Sequence, residues 1–305
     1  MRTNRLVLML VIVLLLVSTL LLTVTPTVKA QELGPAIDEG LIQEANGGIG
    51  LDSVGCTRTN TTPVNAVFEQ RVVELVNIER SKVGLPPLKR NSELDFAARD
   101  HTRDMVEDNY FAHDTFDLVN GTLTLVCGTF VRVRLYYSGY SLAGENLAAG
   151  HTTPEAVVQG WMASPGHRDN MLNAVFKEIG VGYYTGAALY THYWGQDFGA
   201  KPDVYPVIIN NEASVTTSPT VGYYVYGKGV WSEMRTRDNA GAWTNWVPFQ
   251  ENVNFQLAPT NGTHTLSVEM RVAGALTAGA VSSDTIELTV IPPGNNKIFL
   301  PFVKR

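Results

Sequence analysis

The hydrophobic period of this chain changes near Ala200, and no other feature limits the fold as much. Upstream, Phe68, Val72, Leu75, Val76 and Val83 recur at helical spacing until Gly84-Leu-Pro-Pro87 stops them. Leu94, Ala97, Ala98, His101 and Met105 share a second helical face that opens at Asn91 or Ser92, natural N-caps, and ends near Asn109. Thr153-Pro154-Glu155 starts a third helix carrying Val157 and Trp161. Ile179, Val181 and Tyr183 then alternate with Gly180, Gly182 and Tyr184, the period of a strand, and a further strand covers Leu189 to Phe198. Beyond Lys201-Pro-Asp-Val-Tyr-Pro206 the helical period is gone. Residues 207–209, 220–226, 231–237, 254–257, 265–272 and 284–290 are short β-type runs between Gly, Asn and Pro turns. The expectation is an α+β layered domain over residues 63–203 and an all-β sandwich over 204–290.

The first thirty residues read as an address. Arg2 and Arg5 precede an almost unbroken Leu and Val run from Leu6 to Leu22, and Val28-Lys29-Ala30 is a small-residue cleavage site. Export follows, so the chain is expected to be secreted or at the cell surface; an uncleaved anchor is the alternative, and the only membrane contact expected. Without that segment 20 basic face 29 acidic residues, net −9. No basic patch exists for phosphates, which argues against nucleic acid, and the acidity serves solubility. Residues 31–62 lack any period and read as a linker. Cys56 and Cys127, the only cysteines, are expected to pair in an oxidising compartment.

Chemistry concentrates between Gly144 and Leu172. Glu145, between Gly144 and Asn146, is expected in or beside a turn, and His167 follows the turn signal Pro165-Gly166. With His113 of Tyr110-Phe-Ala-His-Asp114 they make two histidines and one carboxylate, the set zinc uses when one coordination position stays open. The alternative is a hydrogen-bond network that fixes loops without metal. His101 reads as a core histidine, His151 and His192 as surface residues, and Arg168 and Asn170 as loop braces.

Six ordered stretches carry a family resemblance: Asn77-x-Glu79-Arg80 with Gly84-Leu-Pro-Pro-Leu88, Phe111-Ala-His113, Gly144-Glu-Asn146, Trp161-x-x-Ser164-Pro-Gly-His167-Arg-x-Asn-Met-Leu172, Gly180-Val-Gly182, and Tyr193-Trp-x-Gln-Asp-Phe198. Together they resemble the CAP superfamily in its bacterial SCP-domain form. The resemblance implies an α-β-α sandwich whose cleft gathers two His and two acidic residues, a tetrad that binds zinc or another divalent ion in some members. His113, Glu145 and His167 match three of the four positions. Where relatives place a Glu three residues after the helix Trp, this chain has Ser164.

Three uses of the cluster follow: binding of an extracellular ligand (lipid, glycan or peptide) with a metal tuning the cleft; metal-assisted hydrolysis on His113, Glu145 and His167; or Ser164 as a nucleophile aided by His167 and Glu145. No Gly-x-Ser-x-Gly elbow and no His-Glu-x-x-His helix supports a dedicated hydrolase, so binding ranks first. No phosphate loop or dinucleotide fingerprint is present, which leaves a nucleotide cofactor unsupported.

In the second module, Val207-Ile-Ile-Asn-Asn211, Met234-Arg235, Trp243-x-x-Trp246-x-Pro-Phe249 and Ser283-Asp-Thr-Ile286 are similar to immunoglobulin-like repeats of bacterial surface proteins. Trp231, Trp243 and Trp246 read as core residues in preference to a carbohydrate platform. Residues 291–305 form a tail, and Asn60, Asn120 and Asn261 head sequons that matter only in a glycosylating host.

Overall fold

A computed structural model describes residues 41–44 and 56–290. The expected signal segment, most of the expected linker and the tail lie outside the described residues. Among the described residues no helix is long and apolar enough to cross a membrane.

The first module is a five-stranded sheet between helices. Its strands are β1 (Leu41–Glu44), β2 (Lys89–Arg90), β5 (Leu142–Ala149), β6 (Glu178–Thr185) and β7 (His192–Ala200), in the order β1-β5-β7-β6-β2. A hairpin, β3 (Thr115–Val119) and β4 (Thr122–Cys127), stands apart from it. The helices α1 (Ala66–Lys82) and α2 (Ser92–Glu107) begin where Asn65 and Asn91 accept from the orphan N–H groups of the first turn. The helix α4 (Pro154–Ala163) is capped by Thr153 with Pro at its first position, as its sequence predicts. Two helices went unforeseen: α3 (Thr129–Tyr136), and α5 (Pro165–Met171) where only a turn was expected.

Two apolar layers fix the sandwich. Val72, Val73 and Val76 of α1 and Val157 and Trp161 of α4 pack with Ile179, Val181, Trp194 and Phe198 on one face of the sheet. Leu94 of α2 and Val133 of α3 form a second core with Tyr137, Tyr140 and Ala143. The α2 backbone comes so close that a Cβ on Gly180 would lie 2.1 Å from the Leu94 carbonyl carbon, and one on Gly182 would lie 2.3 Å from that of Ala98. Glycine at both positions is therefore a packing requirement. Gly182→Ala should cost about 1–3 kcal/mol through overpacking, read as a lowered urea midpoint with an unchanged slope.

Part of the expected linker is folded. Residues 41–44 pair with β5, and Cys56 is bonded to Cys127. The N–H groups of Thr59, Asn60 and Thr61 all donate to the Asp100 carboxylate at 2.8–3.1 Å. A linker without a hydrophobic period can still be tied down by backbone hydrogen bonds and a disulfide, neither of which periodicity reports.

The second module is two facing sheets. The smaller has the order β13 (Asn252–Gln256), β10 (Thr220–Val225), β8 (Val207–Ile209). The larger runs β12 (Val247–Pro248), β11 (Glu233–Asp238), β14 (Gly262–Arg271), β15 (Ala280–Leu288), β9 (Val215–Thr216). Ile209, Val221, Val225, Leu266, Val268 and Ile286 fill the space between them. Trp231 packs against this core, but Trp243 and Trp246 do not, which corrects the core expectation for those two. They stand half-buried against cations: the Arg235 guanidinium lies 5.1 and 4.7 Å from the Trp243 and Trp246 rings, Arg237 lies 4.4 Å from Trp243, and Arg271 lies 3.9 Å from Trp246.

The two modules meet through a left-handed turn. Asn210, Asn211 and Glu212 have φ of 45, 58 and 71°, three successive residues in a region that L-residues visit singly. Gln70 and Asn77 of α1 donate to the backbone carbonyls of Glu212 and Asn211, at 2.6 and 3.2 Å. Lys89 bridges Glu212, at 2.6 Å, and Asp284 of β15. Burial, then the Asp284 charge, pushes the Glu212 carboxyl up to about 7 in spite of Lys89. A carboxyl raised above its unfolded value of 4.5 favours the fold below that value, and the benefit is lost as pH rises through about 7. The junction should therefore tighten on acidification from about pH 8 to about pH 5. Thermal unfolding of the chain and of Glu212→Gln at both pH values reads this: the variant should lack this part of the pH dependence.

Candidate functional site

Glu145 lies mid-strand in β5, fully buried, not in a turn; the glycine and asparagine beside it belong to a buried central strand. Side chains alternate faces along a strand, so Glu145 and Asn146 point to opposite sides of the sheet. Asn146 engages α5: its Nδ2 donates to the His167 carbonyl at 3.0 Å, and Asn170 Nδ2 donates to its Oδ1 at 2.9 Å. Asn170 thus braces α5 as expected. Glu145 pairs across the sheet with Asp197 of β7, which is itself opposite Gly180, on the face that α2 covers.

On that face His113, in the loop after α2, brings Nδ1 to 2.7 Å from Glu145 Oε1. The second oxygen accepts from Arg132 Nη2 of α3. The same guanidinium donates from Nη1 to the His113 carbonyl at 2.9 Å and to Thr115 Oγ1 at 2.8 Å. His101 of α2 packs nearby, its Nε2 at 2.8 Å from the Ala112 carbonyl. His113, Glu145 and Arg132 are therefore one buried, cross-bonded unit.

The charges follow from this geometry. Burial alone would raise the Glu145 carboxyl, but the Arg132 charge and the His113 hydrogen bond outweigh it and hold the group at about 2. Asp197 goes the other way. Burial, then the adjacent Glu145 charge, raises it well above the usual carboxylate range, and neither of its oxygens meets a donor among the described residues. The cause is the sharing of one row by two buried carboxyls, since like charges at contact oppose each other's ionisation. Burial, then the Arg132 charge, lowers His101 to about 3, so it is neutral.

His167 sits half-buried on α5, its carbonyl taken by Asn146, and its ligand atoms do not form with those of His113 and Glu145 a group lying wholly within 4.8 Å of one another. Among the described residues the only such group is Asp104, Asp108 and Asp117, where Asp104 accepts from the Tyr110 hydroxyl and Asp108 accepts from Leu118 N at 3.2 Å. Ser164, the residue between α4 and α5, buries its Oγ with no hydrogen-bond partner among the described residues. Glu145 as placed does not suit a divalent cation, since its oxygens are taken by His113 and by a guanidinium whose own charge opposes a second cation, while His113 Nε2 is buried without a partner among the described residues.

Sequence reasoning missed Arg132 and Asp197. Arg132 lies between Val131 and Val133, in a helix that was not foreseen. Asp197 was visible as a charged residue inside a central strand, flanked by Gln196 and Phe198. Two other histidines of this domain have local contacts: His192 Nδ1 lies 2.7 Å from the Tyr183 hydroxyl, and the His151 backbone carbonyl accepts from Trp194 Nε1 at 2.7 Å.

Residues 73–198, within the layered α-β-α domain, match the CAP family, described as the cysteine-rich secretory protein family. The chain is similar to two uncharacterized proteins of Bacillus subtilis (strain 168). YkwD is 40% identical over 147 residues, 48% of this chain and 52% of that protein; the membrane protein YlbC is 32% identical over 126 residues, 40% of this chain and 34% of that protein. The matches thus span about half and a third of these relatives. Among solved structures, an extracellular SCP-domain protein from Bacillus anthracis str. Ames is 33% identical, with 46% of this chain and 45% of that one covered at a TM-score of 0.38.

Proposed function

We propose that the chain is an exported binding or surface-interaction protein whose CAP domain is a closed scaffold, with neither a hydrolytic centre nor a metal site. The capture of both Glu145 oxygens, by His113 and by Arg132, carries this reading. A carboxylate held in this way is poorly placed to take up a proton or a cation at neutral pH. Export is supported by the Cys56–Cys127 bridge, since such bonds persist in oxidising compartments, and by the signal-like N-terminal sequence. The second module reads as an immunoglobulin-like spacer or adhesion unit. Support comes from its chain, which crosses repeatedly between a β8-β10-β13 sheet and a β12-β11-β14-β15 sheet.

Metal-dependent or serine hydrolysis is the second reading, weakened by the unpartnered Ser164 Oγ and by the engagement of both Glu145 oxygens. A panel of peptide and ester substrates decides between the two. Binding as the function predicts no turnover that depends on Glu145; turnover abolished by Glu145→Gln would reverse the order.

A further inference from the structure

A cavity of about 340 Å³ opens where Pro87 of the CAP domain faces the outer side of the smaller sheet. Asn210, Asn211, Asn252, Asn254 and Tyr224 supply most of its wall, and none of its lining residues is charged, although the chain carries a net −6. We propose that this groove is a binding site for a neutral carbohydrate.

The chemistry is read from the wall. Asn252 and Asn254 are exposed and alternate along β13, so their amides project from one face about 7 Å apart. Neither side-chain amide, nor that of Asn211, is hydrogen-bonded to another described residue. Each offers two donors and an acceptor to solvent or ligand, the complement of a polyol. Gly222, opposite Asn254 on β10, keeps the floor low: a Cβ there would meet Asn254 Oδ1 at 3.6 Å and Asn210 Oδ1 at 4.0 Å. The Tyr224 ring adds the apolar surface that the C–H face of a sugar needs.

The opposite wall is the left-handed turn. Asn210 is fixed by accepting from Gly222 N at 3.0 Å, and Asn77 of the CAP domain holds the Asn211 carbonyl. One amide, that of Asn210, is thus held in place, the turn backbone is braced by the first module, and Pro87 of that module completes the wall. With no cation in the wall, phosphate and carboxylate ligands lack a partner. With Pro87, Ile208 and Val253 as its only aliphatic groups, a lipid chain lacks a bed. The volume is at the small end of the roughly 300–1,000 Å³ of small-molecule sites and suits a short stretch of sugar.

This inference rests on binding being the function and is tested separately from it. The isotope-labelled full chain is titrated with chitobiose, cellobiose and maltotriose while its asparagine side-chain amide signals are followed by NMR. Saturable shifts at Asn210, Asn211, Asn252 and Asn254 are expected with at least one sugar. Gly222→Val, which fills the floor from a position with room for a Cβ, should weaken binding by about tenfold or more, as should Asn252→Ala with Asn254→Ala. Absence of shifts with all three sugars, or shifts unchanged in both variants, would overturn the groove. Shifts confined to the surroundings of Glu145 would overturn it too while leaving the binding reading intact, and Glu145-dependent turnover would overturn that reading instead.

Discussion

Arg132→Ala should destabilise the CAP domain by about 3–5 kcal/mol, because it leaves Glu145 as a buried carboxylate without its cation. For a chain of this size that is a fall in Tm of roughly 6–20 °C. The pH dependence separates this cause from lost packing. The Glu145 carboxyl is depressed in the fold, so its stabilisation is present above its unfolded value of 4.5 and is lost as pH falls toward about 2. Without Arg132 the buried carboxyl would accept a proton readily, and the deficit of the variant should shrink on acidification to about pH 4. Glu145→Gln in the Arg132→Ala background should recover part of the loss at neutral pH. Denaturant unfolding of the chain and both variants at the two pH values checks each step.

Reduction of Cys56–Cys127 should cost about 4 kcal/mol in the chain-entropy model, given a sequence separation of 71 residues. The bridge ties the start of the described domain to the end of β4, next to α3. From there Thr59 to Thr61 run across α2 and give their N–H groups to Asp100. Burial would raise Asp100, but these donors and the Tyr136 hydroxyl lower it, so the carboxylate is a firm anchor. Unfolding with and without reductant, and of Cys56→Ser with Cys127→Ser, should show the same loss. Amide exchange should quicken first at Thr59, Asn60 and Thr61.

What the sequence disclosed and what it concealed divide along physical lines. The helices with caps and an apolar stripe, α1, α2 and α4, were legible because both signals are local. The β runs after Ala200 were legible through alternation and turn residues. Gly180 and Gly182 were visible as words, while their reason, contact with the α2 backbone, is tertiary. The helix α3 was hidden: its Val-Arg-Val-Arg segment has no helical stripe, since Arg132 is itself buried. Glu145 was misplaced because Gly144 reads as a turn residue where the strand is buried on both faces. Strand alternation sends the Asn146 side chain to α5 and that of Glu145 to the α2 face, which a turn reading does not disclose. Trp243 and Trp246 were placed in the core because the cations that stack on them lie on other strands.

Zinc content tests the closed scaffold most directly. The untagged chain and His113→Ala are incubated with excess zinc, freed of unbound metal by gel filtration and analysed for metal. With Arg132 on Glu145, zinc retention should be the same in both proteins. One zinc per chain, lost on His113→Ala, would contradict the closed scaffold and restore a metal centre.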